Sequence, residues 1–214
     1  MAVVDLRPIP ARIRPARRLP QLLAGLVLYA VSMAMQVRAG LGLAPWDVLH
    51  EGLTLRTGLS FGVITAIVGV VVLLLWIPLR ERPGVGTVAN VLVIAVVVDI
   101  ALALISTPGP LWGRVLLLVG GVLANGLATA CYVGARLGPG PRDGLMTGLV
   151  HRTSWPLRWV RTGIEVSVLA LGWVLGGTVG IGTVLYALAV GPLTQAFLPW
   201  LVVREKIPGK KIAG

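Results

Sequence analysis

The sequence has little charge. Only 13% of its 214 residues are Asp, Glu, Lys or Arg, whereas 56% are hydrophobic. A soluble globular domain carries roughly a quarter charged residues, so the composition argues against a water-soluble protein. The apolar residues come in runs of about twenty, the length that crosses a bilayer core of roughly 30 Å. Together with a mean hydropathy of +0.89, these runs predict a multi-pass membrane protein.

The chain also has only one cysteine, Cys131, which lies within an apolar run. A disulfide within the chain and a cysteine metal site are therefore both excluded. No nucleophile–base pair, metal cluster or phosphate-binding loop stands out. We accordingly expect no enzyme activity, no metal and no cofactor.

The net charge of +11 does not predict a nucleic-acid-binding protein. Aromatic and basic residues are not interleaved as they are in proteins that bind single strands. Basic residues also collect at the cytoplasmic ends of membrane spans, and in a chain this apolar the positive charge favours that explanation.

A seventeen-residue motif occurs twice, at 41–57 and at 137–153. The copies are 96 residues apart and agree at nine positions without a gap. The identical pairs are Leu41/Leu137, Gly42/Gly138, Pro45/Pro141, Asp47/Asp143, Leu49/Leu145, Gly52/Gly148, Leu53/Leu149, Arg56/Arg152 and Thr57/Thr153. The chain is therefore predicted to be a duplicated unit of about a hundred residues.

Six membrane spans are predicted, three in each repeat, so the fold class is all-α. Repeat 1, residues 20–110, contains spans 20–38, 60–79 and 86–106. Repeat 2, residues 111–203, contains spans 112–134, 160–177 and 182–203. Basic tails, 1–19 and 204–214, flank the repeats.

The distribution of basic residues sets the expected topology. Sixteen of the nineteen fall in segments that share one side if both termini are cytoplasmic. Because three spans are an odd number, the second repeat would then be inverted relative to the first. Inverted repeats of this kind are typical of secondary transporters.

Each motif predicts a short helix of about a dozen residues. Pro45 and Pro141 suit the first helical position, and Asp47 and Asp143 then fall in the first turn, where the helix dipole stabilises a carboxylate. Glycines at 40, 42, 138 and 140 permit a sharp entry. A helix this short cannot cross the bilayer. Either it re-enters the membrane, with its polar tip buried in protein, or it lies at the interface as an amphipathic helix.

Candidate residues of a solute or ion pathway follow from the motif and the apolar runs. They are Asp47, Arg56, Asp143, Arg152, Asp99, Pro45, Pro141, Gly42, Gly138, Thr57, Thr153 and Gln195. Asp99 is an ionisable group inside a span, which is a functional candidate or a hydrogen-bonded structural residue; Gln195 is its counterpart in repeat 2.

Charge pairing within one motif is excluded by geometry. Asp47 and Arg56 are nine residues apart and point to opposite faces of a helix. We therefore hypothesise cross pairs between the motifs, Asp47 with Arg152 and Asp143 with Arg56.

Other polar residues have simpler expectations. Glu165 lies one turn from Arg161 and is expected to form a surface ion pair. His50 is expected at the membrane interface, on the opposite face from His151, so the two histidines are not expected to share a metal.

The segment AGLGLAPWDVLHEGLTLRTGLSFG, followed by WIPLRERPGVGT, resembles the YczE/YitT-type bacterial integral membrane proteins. The most specific part is GLAPWD at 42–47; the second copy departs from it, with Arg142 in place of Trp46. The resemblance covers most of the chain. It implies a multi-pass protein of the bacterial cytoplasmic membrane, and it supplies neither an activity nor a catalytic residue.

These observations favour a small secondary transporter or channel-like permease for a small polar or ionic solute. The alternative is a non-transporting accessory protein that scaffolds or regulates a partner in the lipid bilayer. A third class, an aspartyl-type membrane hydrolase, would need Asp47 and Asp143 to share one site. A homodimer is compatible with the small number of spans.

Overall fold

The computed structural model describes residues 8–10 and 12–203, and within these ranges the chain is helical without strands. Residues 1–7 and 11 of the predicted N-terminal tail and the whole predicted C-terminal tail, 204–214, lie outside the described residues. Eight helices follow in order: α1 (Pro15–Ala39), α2 (Pro45–Thr57), α3 (Phe61–Leu79), α4 (Val85–Leu104), α5 (Leu111–Gly134), α6 (Pro141–Thr153), α7 (Leu157–Val174) and α8 (Ile181–Leu201).

Five of the described helices, α1, α3, α4, α5 and α8, are long and apolar enough to cross a membrane. They match five of the six predicted spans within a few residues. The predicted span at 160–177 corresponds to α7, which is not among the five. This helix has 18 residues and carries Arg158, Arg161 and Glu165, so charge interrupts its apolar run.

Helices α1 and α5 cross at the centre of the fold and run antiparallel. Gly25 lies against Tyr132 near one end of the contact. Near the middle, Asn125 Nδ2 donates a hydrogen bond of 2.8 Å to Ser32 Oγ. At the other end, Arg114 Nε donates to the Ala39 carbonyl at 2.7 Å. Small residues such as Gly25 let membrane helices approach closely, which explains this intimate contact between the first helices of the two repeats.

The loops before the short helices contact the opposite repeat in a reciprocal way. The Gly182 N–H donates to the Leu41 carbonyl at 2.8 Å, and the Gly86 N–H donates to the Leu137 carbonyl at 3.0 Å. The two donors are 96 residues apart in the sequence, and so are the two acceptors. The start of α8 therefore packs on the motif of repeat 1, and the start of α4 packs on the motif of repeat 2.

Gly42 and Gly138 are required at these contacts. Their φ angles are 112° and 129°, which side-chain-bearing residues rarely adopt. A Cβ on Gly42 would lie 2.6 Å from the Gly180 nitrogen, and one on Gly138 would lie 3.1 Å from Gly84 Cα. Gly140 has a φ of −63°, so the backbone angle at this position does not require glycine.

Each short helix packs on a long helix of the other repeat. Helix α2 lies on α7, where a Cβ on Gly172 would meet the Leu49 nitrogen at 2.4 Å. Helix α6 lies on α3, where Trp76 fills the space beside Gly144. The Trp76 Nε1–H donates to the Pro141 carbonyl at 3.0 Å. Trp76 and Gly172 are 96 residues apart, so equivalent positions contact the two short helices, one through a large side chain and the other through glycine.

Arg18 anchors the described part of the N-terminal segment. Helix α1 begins at Pro15, ahead of the predicted start at residue 20. The Arg18 side chain is fully buried. It donates hydrogen bonds of 2.8–2.9 Å to five carbonyls, those of Ile9, Pro10, Ile13, Ala135 and Arg136. This basic residue therefore has a packing role and is not a solvated charge.

Candidate functional site at the junction of α2 and α6

The two motif helices are confirmed as short helices. Each has 13 residues and begins with a proline at its first position. Asp47 and Asp143 lie in the first turns, where free backbone N–H groups and the helix dipole stabilise negative charge. In the last turns, the hydroxyls of Thr57 and Thr153 donate to carbonyls four residues earlier, each at 2.7 Å. The duplicated sequence thus gives two similar local structures.

The N-terminal tips of α2 and α6 meet. Arg142 Nη2 lies 3.4 Å from Asp47 Oδ1, and Arg142 Cζ lies 5.0 Å from the centre of the Trp46 ring. Only 2% of the Asp47 side chain is exposed, against 23% for Arg142. A buried ion pair and a cation–π contact therefore join the two tips.

This geometry overturns both hypothesised cross pairs. Asp47 pairs with Arg142 in place of Arg152, and Asp143 accepts a hydrogen bond of 2.8 Å from the Tyr132 hydroxyl in place of pairing with Arg56. Arg56 is exposed and donates to the Leu175 carbonyl at 3.1 Å; Arg152 is exposed as well. Because the helices meet at their first turns, the arginines in the last turns lie at the far ends, well beyond contact distance.

His50 lies in the interior, so the expectation of an interfacial His50 is wrong. Its side chain is 1% exposed. The Nδ1 atom is 3.5 Å from Asp47 Oδ1 and 3.3 Å from Thr65 Oγ1, and Phe61 packs edge-on against the ring. Helix α3 covers this residue. The same Asp47 oxygen therefore faces both His50 and Arg142.

A polar network surrounds the junction at the middle of α1 and α5. All three tyrosines of the sequence belong to it. Tyr132 bonds Asp143 and packs edge-on against Tyr29. The Tyr186 hydroxyl donates to Asn125 Oδ1 at 3.1 Å, and Tyr29 and Tyr186 lie within electrostatic range of the Asp47 and Arg142 charges. Polar side chains are thus concentrated deep inside an apolar helix assembly.

Two donors at the junction have spare capacity. Among the described residues, Arg142 makes a single hydrogen bond, the long one to Asp47, although a guanidinium has five N–H donors. The Trp46 Nε1–H is buried and has no hydrogen-bond partner among the described residues. Buried donors without partners are rare in folded proteins and call for an explanation.

Other predicted residues lie away from the junction. Asp99 accepts hydrogen bonds from Ser60 Oγ at 2.5 Å and from the Gly62 N–H at 2.7 Å. It thereby caps the start of α3, as the structural alternative predicts. Gln195, its counterpart, is exposed on α8. The predicted ion pair of Glu165 with Arg161 is confirmed, at 2.9 Å.

The two repeats differ where their later helices pack. Gly69 lies against Val91 between α3 and α4. The equivalent residues between α7 and α8 are Glu165 and Ala187, and there the helices are separated by an open groove of about 330 Å³. A carboxylate in place of glycine prevents close packing. Pro45, at the tip of α2, lines the same groove, which therefore reaches the edge of the junction.

Comparisons with known proteins agree with this architecture. Residues 16–199 match the group described as "Family of unknown function (DUF6198)". The chain belongs to this family. It is 38% identical over 190 residues to an "Uncharacterized protein" of Haemophilus influenzae, covering 89% of this chain and 87% of the relative. No solved structure matches it.

The relatives in Bacillus subtilis confirm the resemblance found in the motif. The chain is 32% identical to the "Uncharacterized membrane protein YczE", over 82% of this chain and 83% of the relative. It is 24% identical to the "Uncharacterized protein YyaS", over 82% and 89%. Family membership and the apolar helices together identify a membrane protein.

Sequence reasoning missed several residues of the junction. Arg142 and Trp46 were noticed only because they occupy one motif position and differ, and neither was assigned a role. Tyr132 and Tyr186 lie outside the motif, and His50 is replaced by Met146 in the second copy of the motif. The sequence nevertheless held one useful signal. Trp46 and Arg142 occupy the same position of the two copies and differ strongly in chemistry, and this is where the copies touch.

Proposed function

We propose that this protein is a small secondary transporter or channel-like permease for a small polar or ionic solute, built from two inverted repeats. The antiparallel crossing of α1 and α5 supports the inversion, because these are equivalent helices of the two repeats. The reciprocal contacts of Leu41 with Gly182 and of Leu137 with Gly86 support it as well. In this proposal α7 is the sixth span, with Arg158 and Arg161 near the cytoplasmic surface, and both termini are cytoplasmic.

The proposal requires that α2 and α6 re-enter the membrane from opposite sides. Their meeting supports this, because two helices lying flat on opposite surfaces could not join tip to tip. The depth of the meeting point supports it too, since Tyr29 lies near the middle of the long helix α1 and packs on Tyr132, which bonds Asp143 at the tip of α6. Irregular backbone at that depth is tolerated where it is buried in protein or lines a cavity.

The proposed function depends on one observation: the Asp47–Arg142 pair joins the two short helices in the interior of the protein. Ionisable groups inside a membrane protein are costly and mark ion or substrate pathways. Transporters typically place the site where discontinuous helices of two repeats meet. The Asp47–Arg142 contact is long and not bidentate, so a passing solute can displace one partner without breaking strong hydrogen bonds.

The groove between α7 and α8 provides a route to the junction. Its walls are mainly aliphatic, with Thr162, Glu165 and Thr183 as polar lining residues, and it ends beside Pro45. Further separation of α7 from α8 would widen the groove and expose the junction. The close packing of α3 on α4 leaves the equivalent side of the other repeat closed.

Reconstitution tests the proposal. Proteoliposomes containing the full chain are expected to take up at least one solute from a panel of K⁺, Na⁺, nitrate, formate and phosphate. Asp47→Asn should abolish uptake, because the neutral amide no longer holds Arg142. Arg158→Gln, an exposed arginine of α7, is the matched control and should retain it. Uptake that is unchanged in Asp47→Asn, or no uptake of any of these solutes, would argue against a pathway at the junction.

A further inference from the structure

Two hydrogen-bond donors at the junction are available to a ligand. Asp47 Oδ1 already faces Arg142 and His50, and Asp143 accepts a hydrogen bond from the Tyr132 hydroxyl. On the donor side, Arg142 uses one of its N–H groups among the described residues, and the Trp46 indole N–H uses none. A ligand with acceptor atoms would satisfy these donors.

Two further features favour a negatively charged acceptor. The first turns of α2 and α6 both lie at the junction, and each brings the positive end of a helix dipole to it. Arg142 adds a full positive charge, and its side chain remains 23% exposed, so an incoming ion can reach it. Half-helix N-termini point at anionic groups in known transporters of this general plan.

The guanidinium narrows the class of anion. A guanidinium binds planar, two-oxygen groups through parallel N–H donors. Arg142 Cζ lies 5.0 Å from the centre of the Trp46 ring, and the guanidinium keeps N–H groups to which no described residue is hydrogen-bonded. A carboxylate, nitrate or phosphate group presents paired oxygens to such an edge, whereas chloride does not.

We propose that the junction binds a small oxyanion, held by the Arg142 guanidinium and the Trp46 indole N–H between the tips of α2 and α6. This inference rests on the proposed transport function and names its substrate class. In the empty site, Asp47 holds Arg142 in place; when the oxyanion binds, Arg142 turns its donor edge to the ligand.

Thermal unfolding of the full chain in detergent micelles measures binding without measuring transport. Sodium formate, nitrate and phosphate are titrated separately at constant ionic strength, with chloride as the reference anion. A ligand that binds the folded state raises the Tm in a saturable way. We expect such a rise with at least one oxyanion and not with chloride.

Variants assign the effect to the junction. Arg142→Gln should raise the half-saturating concentration by about tenfold or more, as expected for loss of a hydrogen bond to a charged group. Arg142→Lys keeps the charge but loses the paired donors, and Trp46→Phe keeps the ring but loses the N–H; both should raise it by a smaller factor. The matched controls are Arg158→Gln and Trp159→Phe, an exposed cation–π pair at 5.7 Å.

Each outcome decides between the two proposals. No saturable rise with any of the three oxyanions, or an unchanged half-saturating concentration in Arg142→Lys and Trp46→Phe, overturns the oxyanion site. Cation uptake by proteoliposomes without oxyanion stabilisation keeps the transporter and removes the oxyanion site. Oxyanion stabilisation without any uptake keeps the site and removes the transporter.

Discussion

Trp46 and Arg142 occupy equivalent positions of the two sequence repeats, and in the folded chain they stack on each other, with Arg142 Cζ 5.0 Å from the centre of the indole ring. A contact between equivalent positions marks the place where the two repeats meet. Two identical side chains there would give either two stacked rings or two facing cations. Divergence at this one position produced an attractive pair and left Arg142 beside Asp47.

The Asp47–Arg142 pair should be coupled energetically. Arg142→Gln leaves the buried Asp47 carboxylate without its charged partner, which costs about 3–5 kcal/mol. Asp47→Asn leaves Arg142 without its partner, and because Arg142 is 23% exposed this change should cost less. The double variant should lose clearly less than the sum of the two. Chemical unfolding in mixed micelles gives the free energy of unfolding for the four proteins of the cycle.

The exposed Arg161–Glu165 pair is the control for this cycle. Its two side chains are 49% and 29% exposed, so its coupling should not exceed about 0.5 kcal/mol. Equal coupling in the two cycles would show that burial of Asp47 contributes nothing to the interaction.

Gly172 should be intolerant of a side chain. A Cβ there would lie 2.4 Å from the Leu49 nitrogen and 2.5 Å from the Val48 carbonyl carbon. Because backbone cannot move aside cheaply, Gly172→Ala should push α2 off α7 and destabilise the protein by about 1–3 kcal/mol. Thermal unfolding measures the change.

Gly163 on the same helix provides the matched comparison. Apart from its chain neighbours and the nearby backbone of its own helix, no described residue has an atom within 4 Å of a Cβ placed there. Gly163→Ala should be neutral or stabilise the protein slightly, by about 0.5–1 kcal/mol, because glycine is unfavourable inside a helix. A loss of stability as large as that of Gly172→Ala would refute the close-contact explanation.

Arg18 should not be replaceable by lysine. Lysine offers three donors from a single nitrogen, so it cannot reach the five carbonyls that the Arg18 guanidinium binds. Arg18→Lys should cost about 3 kcal/mol, the equivalent of one or two charge-assisted hydrogen bonds. Limited proteolysis of the segment before α1 should become faster. Arg17→Lys, at an exposed position, should change neither quantity.

Side-specific cysteine labelling tests the inverted arrangement. In a Cys131→Ser background, cysteines replace Leu55 and Trp155, which are each 63% exposed at the far ends of the short helices. We expect an impermeant reagent to label the first from outside and the second from the cytoplasm. Cysteines at Val48 and Leu145, which are 0% and 8% exposed, should resist it from both sides. Labelling of positions 55 and 155 from one side only would contradict inversion.

Local features of the fold followed from the sequence. Proline is favoured at the first position of a helix, and glycine alone adopts the φ angles of the preceding loop at low cost, so the motif predicted α2 and α6 to within a few residues. Hydropathy placed the five long apolar helices equally well. The capping role of Asp99 was one of two alternatives, because the sequence does not show that Ser60 starts the neighbouring helix beside it.

The sequence by itself determined that this is a helical membrane protein in which one motif occurs twice and forms two short, proline-initiated helices, because hydropathy and backbone stereochemistry act within a few residues. Only the tertiary structure decided which charges meet. Asp47 reaches Arg142 and not Arg152 because α2 and α6 join at their tips, so the arginines of the last turns are a helix length away from the contact. The burial of His50 depends on α3 covering it. Such distances are set by packing between helices, and the spacing of residues along the chain does not predict them.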